Sequence, residues 1–182
     1  MGRFLDIVVP TEPIRDPGAF HLTDPATDGA MAYSFLSGEQ DVDPALADVE
    51  SQVSLRFTPI DHNAAFEALE QDRNRRCDGY LRTEDASGLI FVELKQRSAE
   101  NTTSTKTWVA KAINQLRQTI VVFRREEPEK ANLAESGFHR AYVCNPKGPY
   151  QVPESVRSTK KVFLSATKNF LLFCTNKISV SA

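Results

Sequence analysis

Cysteine, tryptophan and histidine are scarce in this chain of 182 residues, which has three, one and three of them. Cys77, Cys144 and Cys174 are odd in number, far apart and set in apolar runs. Buried free thiols in a reducing cytosol are therefore expected rather than a disulfide framework. His62 and His139 stand at no metal-ligand spacing to each other or to a cysteine, so a zinc site is not expected. No phosphate-binding glycine loop is present, so ATP use is not expected. No apolar run approaches the roughly 18 residues of a membrane span. No charged-then-apolar leader opens the sequence, and a cytoplasmic protein with no membrane partner is expected. The net charge of −2 and pI of about 6.0 offer no overall attraction for nucleic acid, so any basic surface must be local.

Apolar residues make up 41% and charged residues 25%, the balance of an ordinary soluble domain. Residues 1–42 read as an irregular N-terminal extension. FLDIVV is its one candidate strand, and prolines and glycines punctuate the remainder. Residues 43–182 read as the folded domain, with a core over about 43–145. Asp43-Pro44 has the N-cap and first-turn proline of a short helix, PALADVES. QVSLRF alternates at period two, as a half-buried strand does. TPIDHN is a turn, and AAFEALEQ one or two helical turns.

CDGYLR and GLIFVELKQ read as a hairpin joined by the turn formers of TEDAS. In its second strand Ile90, Val92 and Leu94 share one face, and Leu89, Phe91, Glu93 and Lys95 the other. SAENTTST reads as a polar loop. TWVAKAINQLRQTIVVFRREE follows as the longest helix, its apolar residues recurring at three and four. FHRAYVCN is a further strand. KKVFLSATKNFLLFCTNKISVSA, rich in β-branched and aromatic residues, reads as a C-terminal β-hairpin turning near Lys168-Asn169. The fold class expected is α/β, a mixed central sheet flanked by helices.

The hairpin carries the chemistry. Hydrolysis of a phosphodiester needs charge neutralised on a non-bridging oxygen, a nucleophilic water and a stabilised leaving oxygen. Carboxylates holding Mg²⁺ supply the first and assist the others. Asp78 on one strand and Glu93 on the next can converge on one ion at an open cleft, with the Leu94 backbone carbonyl as a third oxygen. Lys95, on the Glu93 face, can orient the water or offset developing charge. The alternative is a solvated Glu93–Lys95 pair on an exposed face.

CDGYL, LIFVELK and the WVAKAINQLRQTI helix together resemble the PD-(D/E)XK nuclease superfamily, whose fold is restriction-endonuclease-like. The resemblance covers roughly residues 43–145. It implies an αβββαβ core with Asp78, Glu93 and Lys95 catalytic, Asp78 and Glu93 the metal ligands, and Mg²⁺ the cofactor (Mn²⁺ can substitute). Cys77 departs from the proline that the family name places before the aspartate. Glu50, ending the first helix, and Gln115, on the helix after the Glu-x-Lys strand, are accessory site candidates. Arg75, Arg76, Lys106, Lys111 and Arg117, with Arg124 and Arg125, are candidate phosphate contacts, or else ordinary solvated charges. The activity implied is metal-dependent nuclease cleavage, of DNA more than RNA, in genome defence, mobile-element function or repair. Recognition would come from a homodimer or a partner protein. The alternative is a non-catalytic binding or interaction subunit that keeps the fold.

Overall fold

The structure, a computed structural model, describes residues 4–5, 13–25, 30–36, 38–39, 45–63, 66, 76–84, 88–96, 102–129, 139–146, 154–168 and 170–181. Its strands are β1 (Ile14–Arg15), β2 (Gly18–Thr23), β3 (Tyr33–Phe35), β4 (Ala47–Ser51), β5 (Leu55–Pro59), β6 (Gly79–Arg82), β7 (Leu89–Leu94), β8 (His139–Cys144), β9 (Leu171–Cys174) and β10 (Lys177–Val180). Two helices, here α1 (Thr102–Glu126) and α2 (Glu154–Thr167), complete the described elements. The chain is a mixed α/β protein. Six strands form one sheet in the order β1-β5-β6-β7-β8-β9, and four form a second in the order β10-β4-β2-β3.

Strand β7 lies at the centre because its alternation serves two cores at once. Leu89 and Phe91 face a cluster that includes Val109, Ala112, Ile113, Leu116, Ile120 and Phe123 of α1. Ile90, Val92 and Leu94 face a second cluster with Phe20 and Leu22 of β2, Val49 of β4 and Ile178 of β10. The six-stranded sheet is thus sandwiched between helices and the smaller sheet. Register in the hairpin pairs Gly79 with Val92 and Leu81 with Ile90, antiparallel. After α1 the chain returns as β8, parallel to β7, the βαβ crossover expected of a helix over a sheet.

Several sequence expectations are corrected. The segment expected to be irregular carries β1, β2 and β3, of which β1 pairs with β5 and β2 with β4. Phe4 and Leu5, the described part of FLDIVV, are in a bend rather than a strand. Phe4 nonetheless packs edge-to-face with Phe66, Phe91 and Phe123 at 5.0–6.0 Å between ring centroids. The helix expected at PALADVES is strand β4. Ala47, Val49 and Ser51 are buried while Asp48 and Glu50 point outward, so period two prevails over the helical spacing of Leu46 and Val49. Asp43-Pro44 and most of AAFEALEQ lie outside the described residues.

Helix α1 begins at Thr102, inside the expected loop SAENTTST. The expected C-terminal hairpin is absent: Glu154–Thr167 is helix α2, and β9 and β10 enter different sheets. Phe163 of α2 is buried in the α1 cluster. Thr167 Oγ1 donates to Phe163 O at 2.8 Å, and Arg124 of α1 donates to Thr167 O at 2.8 Å. Lys168, at φ 48, ends the helix in the left-handed conformation. Tertiary packing and a capped end therefore outweigh the strand propensity of KKVFLSAT. None of the described helices is long and apolar enough to cross a membrane.

Candidate metal and active site

The site is built where the hairpin ladder stops. Gly79 begins β6, and a Cβ there would meet the Phe57 ring at 2.5 Å and Thr58 O at 2.8 Å. Only glycine permits that approach of β5, which leaves Asp78 just past the end of the β6 ladder. The Asp78 carbonyl accepts from Ile60 N at 2.9 Å. Its carboxylate Oδ2 accepts from Leu94 N. Leu94 therefore enters the site through its N–H, bound to the same carboxylate for which its carbonyl was the expected companion.

Glu93 lies on the neighbouring strand, on the helix-facing side, and Lys95 follows it on that side. Lys95 Nζ is 2.5 Å from Glu93 Oε1 and 3.9 Å from Asp78 Oδ2. The structure thus brings Asp78, Glu93 and Lys95 together, with both carboxylates converging on one ammonium. Glu93 is 0% exposed and Asp78 is 4% exposed, so the carboxylates are interior groups rather than the lining of an open cleft among the described residues. Lys95 is the half-buried outlet of the cluster. Glu93 Oε2 is buried without a hydrogen-bond partner.

Such burial has electrostatic consequences. Loss of solvent raises Asp78 from 3.8 to about 7; Lys95 and the Leu94 N–H oppose the rise, and the negative fields of Asp24 and Asp61 add to it. Glu93 is raised well above its ordinary value, first by burial and then by Asp78, with Lys95 opposing. Burial pulls Lys95 down, yet Glu93 and Asp78 together outweigh it and hold the ammonium above its usual range. The arrangement is two carboxyl groups that burial inclines towards the protonated form, with a positive charge beside them.

The other candidates scatter. Glu50 is exposed on β4 of the smaller sheet. There it lines an outer-face groove of about 240 Å³ with His21, Asp48 and Lys177, not the Asp78 cluster. Gln115 is buried and donates from Nε2 to Arg76 O at 2.9 Å, beside the site but on its backbone. Arg76 is 2% exposed and pairs with Asp61 at 3.8 Å, an interior position rather than a surface one. Lys111 is exposed on α1, and Arg117 donates to Asn114 Oδ1 at 2.8 Å. Arg75 and the Lys106 side chain lie outside the described residues.

Asp24, Asp61 and Thr119 were missed by sequence reasoning. Asp61, in the TPIDHN turn, follows the residue that bonds the Asp78 carbonyl, a proximity created by β5–β6 pairing alone. Among the described residues no three His, Cys, Asp or Glu side chains form a ready metal cluster. Two carboxylates nevertheless fit Mg²⁺, which keeps much of its water and commonly takes one or two carboxylates plus substrate phosphates. The unsatisfied Glu93 Oε2 is the observation that favours a cation there. Comparison of the chain with protein-family models, curated proteins and solved structures finds no match in any of the three.

Proposed function

We propose that the chain is a metal-dependent nuclease with a restriction-endonuclease-like core, hydrolysing phosphodiester bonds in DNA rather than RNA. The carrying observation is the burial of Asp78 and Glu93 on adjacent strands around one lysine, with a Glu93 oxygen left unsatisfied. The strand-strand-strand-helix-strand order of β5, β6, β7, α1 and β8 is compatible with that core. A bound Mg²⁺ or Mn²⁺, held by Asp78 and Glu93 with the Leu94 carbonyl as a further oxygen, would neutralise charge on the phosphate and lower the pKa of water. Asp78 and Glu93 hold their carboxylates fixed and dehydrated, which strengthens their attraction for a cation. Lys95, with three N–H donors, can orient the attacking water and oppose charge developing on the phosphate.

A second reading, a binding subunit that has kept the hairpin without catalysis, is favoured by two features. Lys95 already offsets part of the pair's charge, and no third side-chain ligand stands among the described residues. Cleavage assays separate the two. Single- and double-stranded DNA and RNA are offered with Mg²⁺, with Mn²⁺ and with EDTA, alone and with a partner protein where one co-purifies. The nuclease reading expects cleavage that EDTA stops and that Asp78→Ala or Glu93→Ala abolishes. Lys95→Ala should lower kcat while metal binding persists, because a contact to water and transition state is removed. Cleavage by Lys95→Ala at the wild-type rate would refute the role given to Lys95.

A further inference from the structure

The peptide groups leading into Asp78 raise a question of backbone accounting. The β6–β7 ladder ends at the Gly79–Val92 pair, yet Cys77 and Arg76 are fully or nearly fully buried. Buried N–H and C=O groups require partners. For the peptide unit that joins Arg76 to Cys77 they are supplied by one face of α1. Thr119 Oγ1 accepts from Cys77 N at 2.9 Å, and Gln115 Nε2 donates to Arg76 O at 2.9 Å. Gln115 and Thr119 are four residues apart, so they stand one turn above each other and grip consecutive residues. Both are buried, and neither bond belongs to regular secondary structure.

We infer that Gln115 and Thr119 are positioning residues that set the Asp78 carboxylate opposite Glu93. The inference rests on the nuclease reading and deepens it, since it names the groups that hold the metal ligand in place. From its downstream side Asp78 is fixed by Gly79 in the ladder and by Leu94 N on its carboxylate. From the upstream side only a short buried stretch precedes it in the described residues; α1 holds its backbone through Gln115 and Thr119, and Asp61 pairs with the Arg76 side chain. Helix α1 is itself anchored through Leu116, Ile120 and Phe123 in the sheet-facing core. The clamp therefore transmits the rigidity of the helix to a residue that lies beyond the ladder. Gln115 thereby acts on the backbone before Asp78, a different role from direct contact with substrate.

The test compares Thr119→Val, which keeps shape and loses the acceptor, with Thr119→Ser, which keeps the hydroxyl. Gln115→Met, which loses the donor, is the companion should Thr119→Val not fold. Mn²⁺ affinity by calorimetric titration and kcat on DNA are read well below each variant's melting temperature, with exchange of the Cys77 amide followed by NMR. Thr119→Val and Gln115→Met should lose about 10–100-fold in Mn²⁺ affinity or kcat, as losses of supporting partners do at metal sites. Thr119→Ser should restore most of it. Faster Cys77 amide exchange in Thr119→Val with Mn²⁺ affinity and kcat unchanged would overturn the inference and leave the nuclease reading standing. Wild-type protein that neither binds Mn²⁺ nor cuts would overturn both.

Discussion

Two polar side-chain pairs, one on each sheet, look alike on paper and differ in what surrounds them. On the smaller sheet His21 Nδ1 lies 2.9 Å from Asp48 Oδ1 across paired strands, with side chains 23% and 49% exposed. On the larger sheet Lys95 lies 2.5 Å from Glu93, with side chains 22% and 0% exposed. The first is what a half-buried sheet does with charges on its wet face, at little cost and little gain. The second puts a carboxylate where desolvation exceeds what a single partner returns. On the proposed reading, such a buried pair beside a second buried carboxylate is explained by function rather than by folding.

The largest expected effect comes from breaking the buried pair on one side. Lys95→Met should cost about 3–5 kcal/mol in urea unfolding at neutral pH, because Glu93 loses its counter-charge. Removing both members, Glu93→Met with Lys95→Met, should be neutral or stabilising by about 1–4 kcal/mol. A double variant as unstable as the single one would mean the pair is structural after all.

Metal sharpens the contrast at a somewhat smaller scale. Mn²⁺ at a hundred times its Kd should stabilise the native protein by about 2.7 kcal/mol. Lys95→Met should gain more than wild type, as a cation replaces the lost ammonium. Asp48→Asn should gain the same as wild type, and Glu93→Gln should gain little. Differential scanning calorimetry with and without Mn²⁺ reads all four.

A buried histidine outside both pairs gives a pH test. His139 is 5% exposed, has no hydrogen-bond partner at either ring nitrogen, and packs at a tilt against Phe170 with ring centroids 4.8 Å apart. Burial lowers its pKa below 6.5, so the unfolded chain binds the proton first as pH falls. Its contribution to stability is whole above pH 6.5 and declines below it, until the folded-state value is passed. Asp78 has the opposite sign. Its raised value makes the metal-free fold bind protons more readily than the unfolded chain between about 4 and about 7. That term therefore favours folding at the acid end of the window. His139→Phe should flatten the decline below pH 6.5 in chemical denaturation and leave the Asp78 term in place.

The smallest effect belongs to the solvated pair. Asp48→Asn should cost about 1 kcal/mol or less, measured by urea unfolding at low salt, where the interaction is least screened.

The hairpin and α1 were legible in the sequence because each carries a long run of one period. LIFVEL is a short apolar run rich in strand formers and preceded by the turn formers of TEDAS, and the apolar residues of 109–123 recur at helical spacing. The convergence of Asp78, Glu93 and Lys95 followed from that hairpin, as its register places Asp78 just beyond Gly79–Val92. ALADVES, by contrast, satisfies both periods, and the neighbouring strands β2 and β10 decide for β4. KKVFLSAT favours strand by composition, yet α1 and Arg124 hold it helical. The strands β1 and β3, of two and three residues, are too short to show any alternation. Asp61, Asp24 and Thr119 reach the site through sheet pairing and helix docking, which no local spacing encodes. The depth of burial was also illegible: a Glu-x-Lys at the end of a strand reads as a rim, yet Glu93 is fully enclosed.

In the proposed reading Asp78 and Glu93 form a cation site whose place Lys95 partly fills in the metal-free protein. Crystals of the wild-type chain soaked in Mn²⁺ and recorded at the manganese absorption edge should show one anomalous peak in contact with carboxylate oxygens of both Asp78 and Glu93, with Lys95 displaced from Glu93 Oε1. No peak at saturating Mn²⁺, with Lys95 still bridging the two carboxylates, would contradict it.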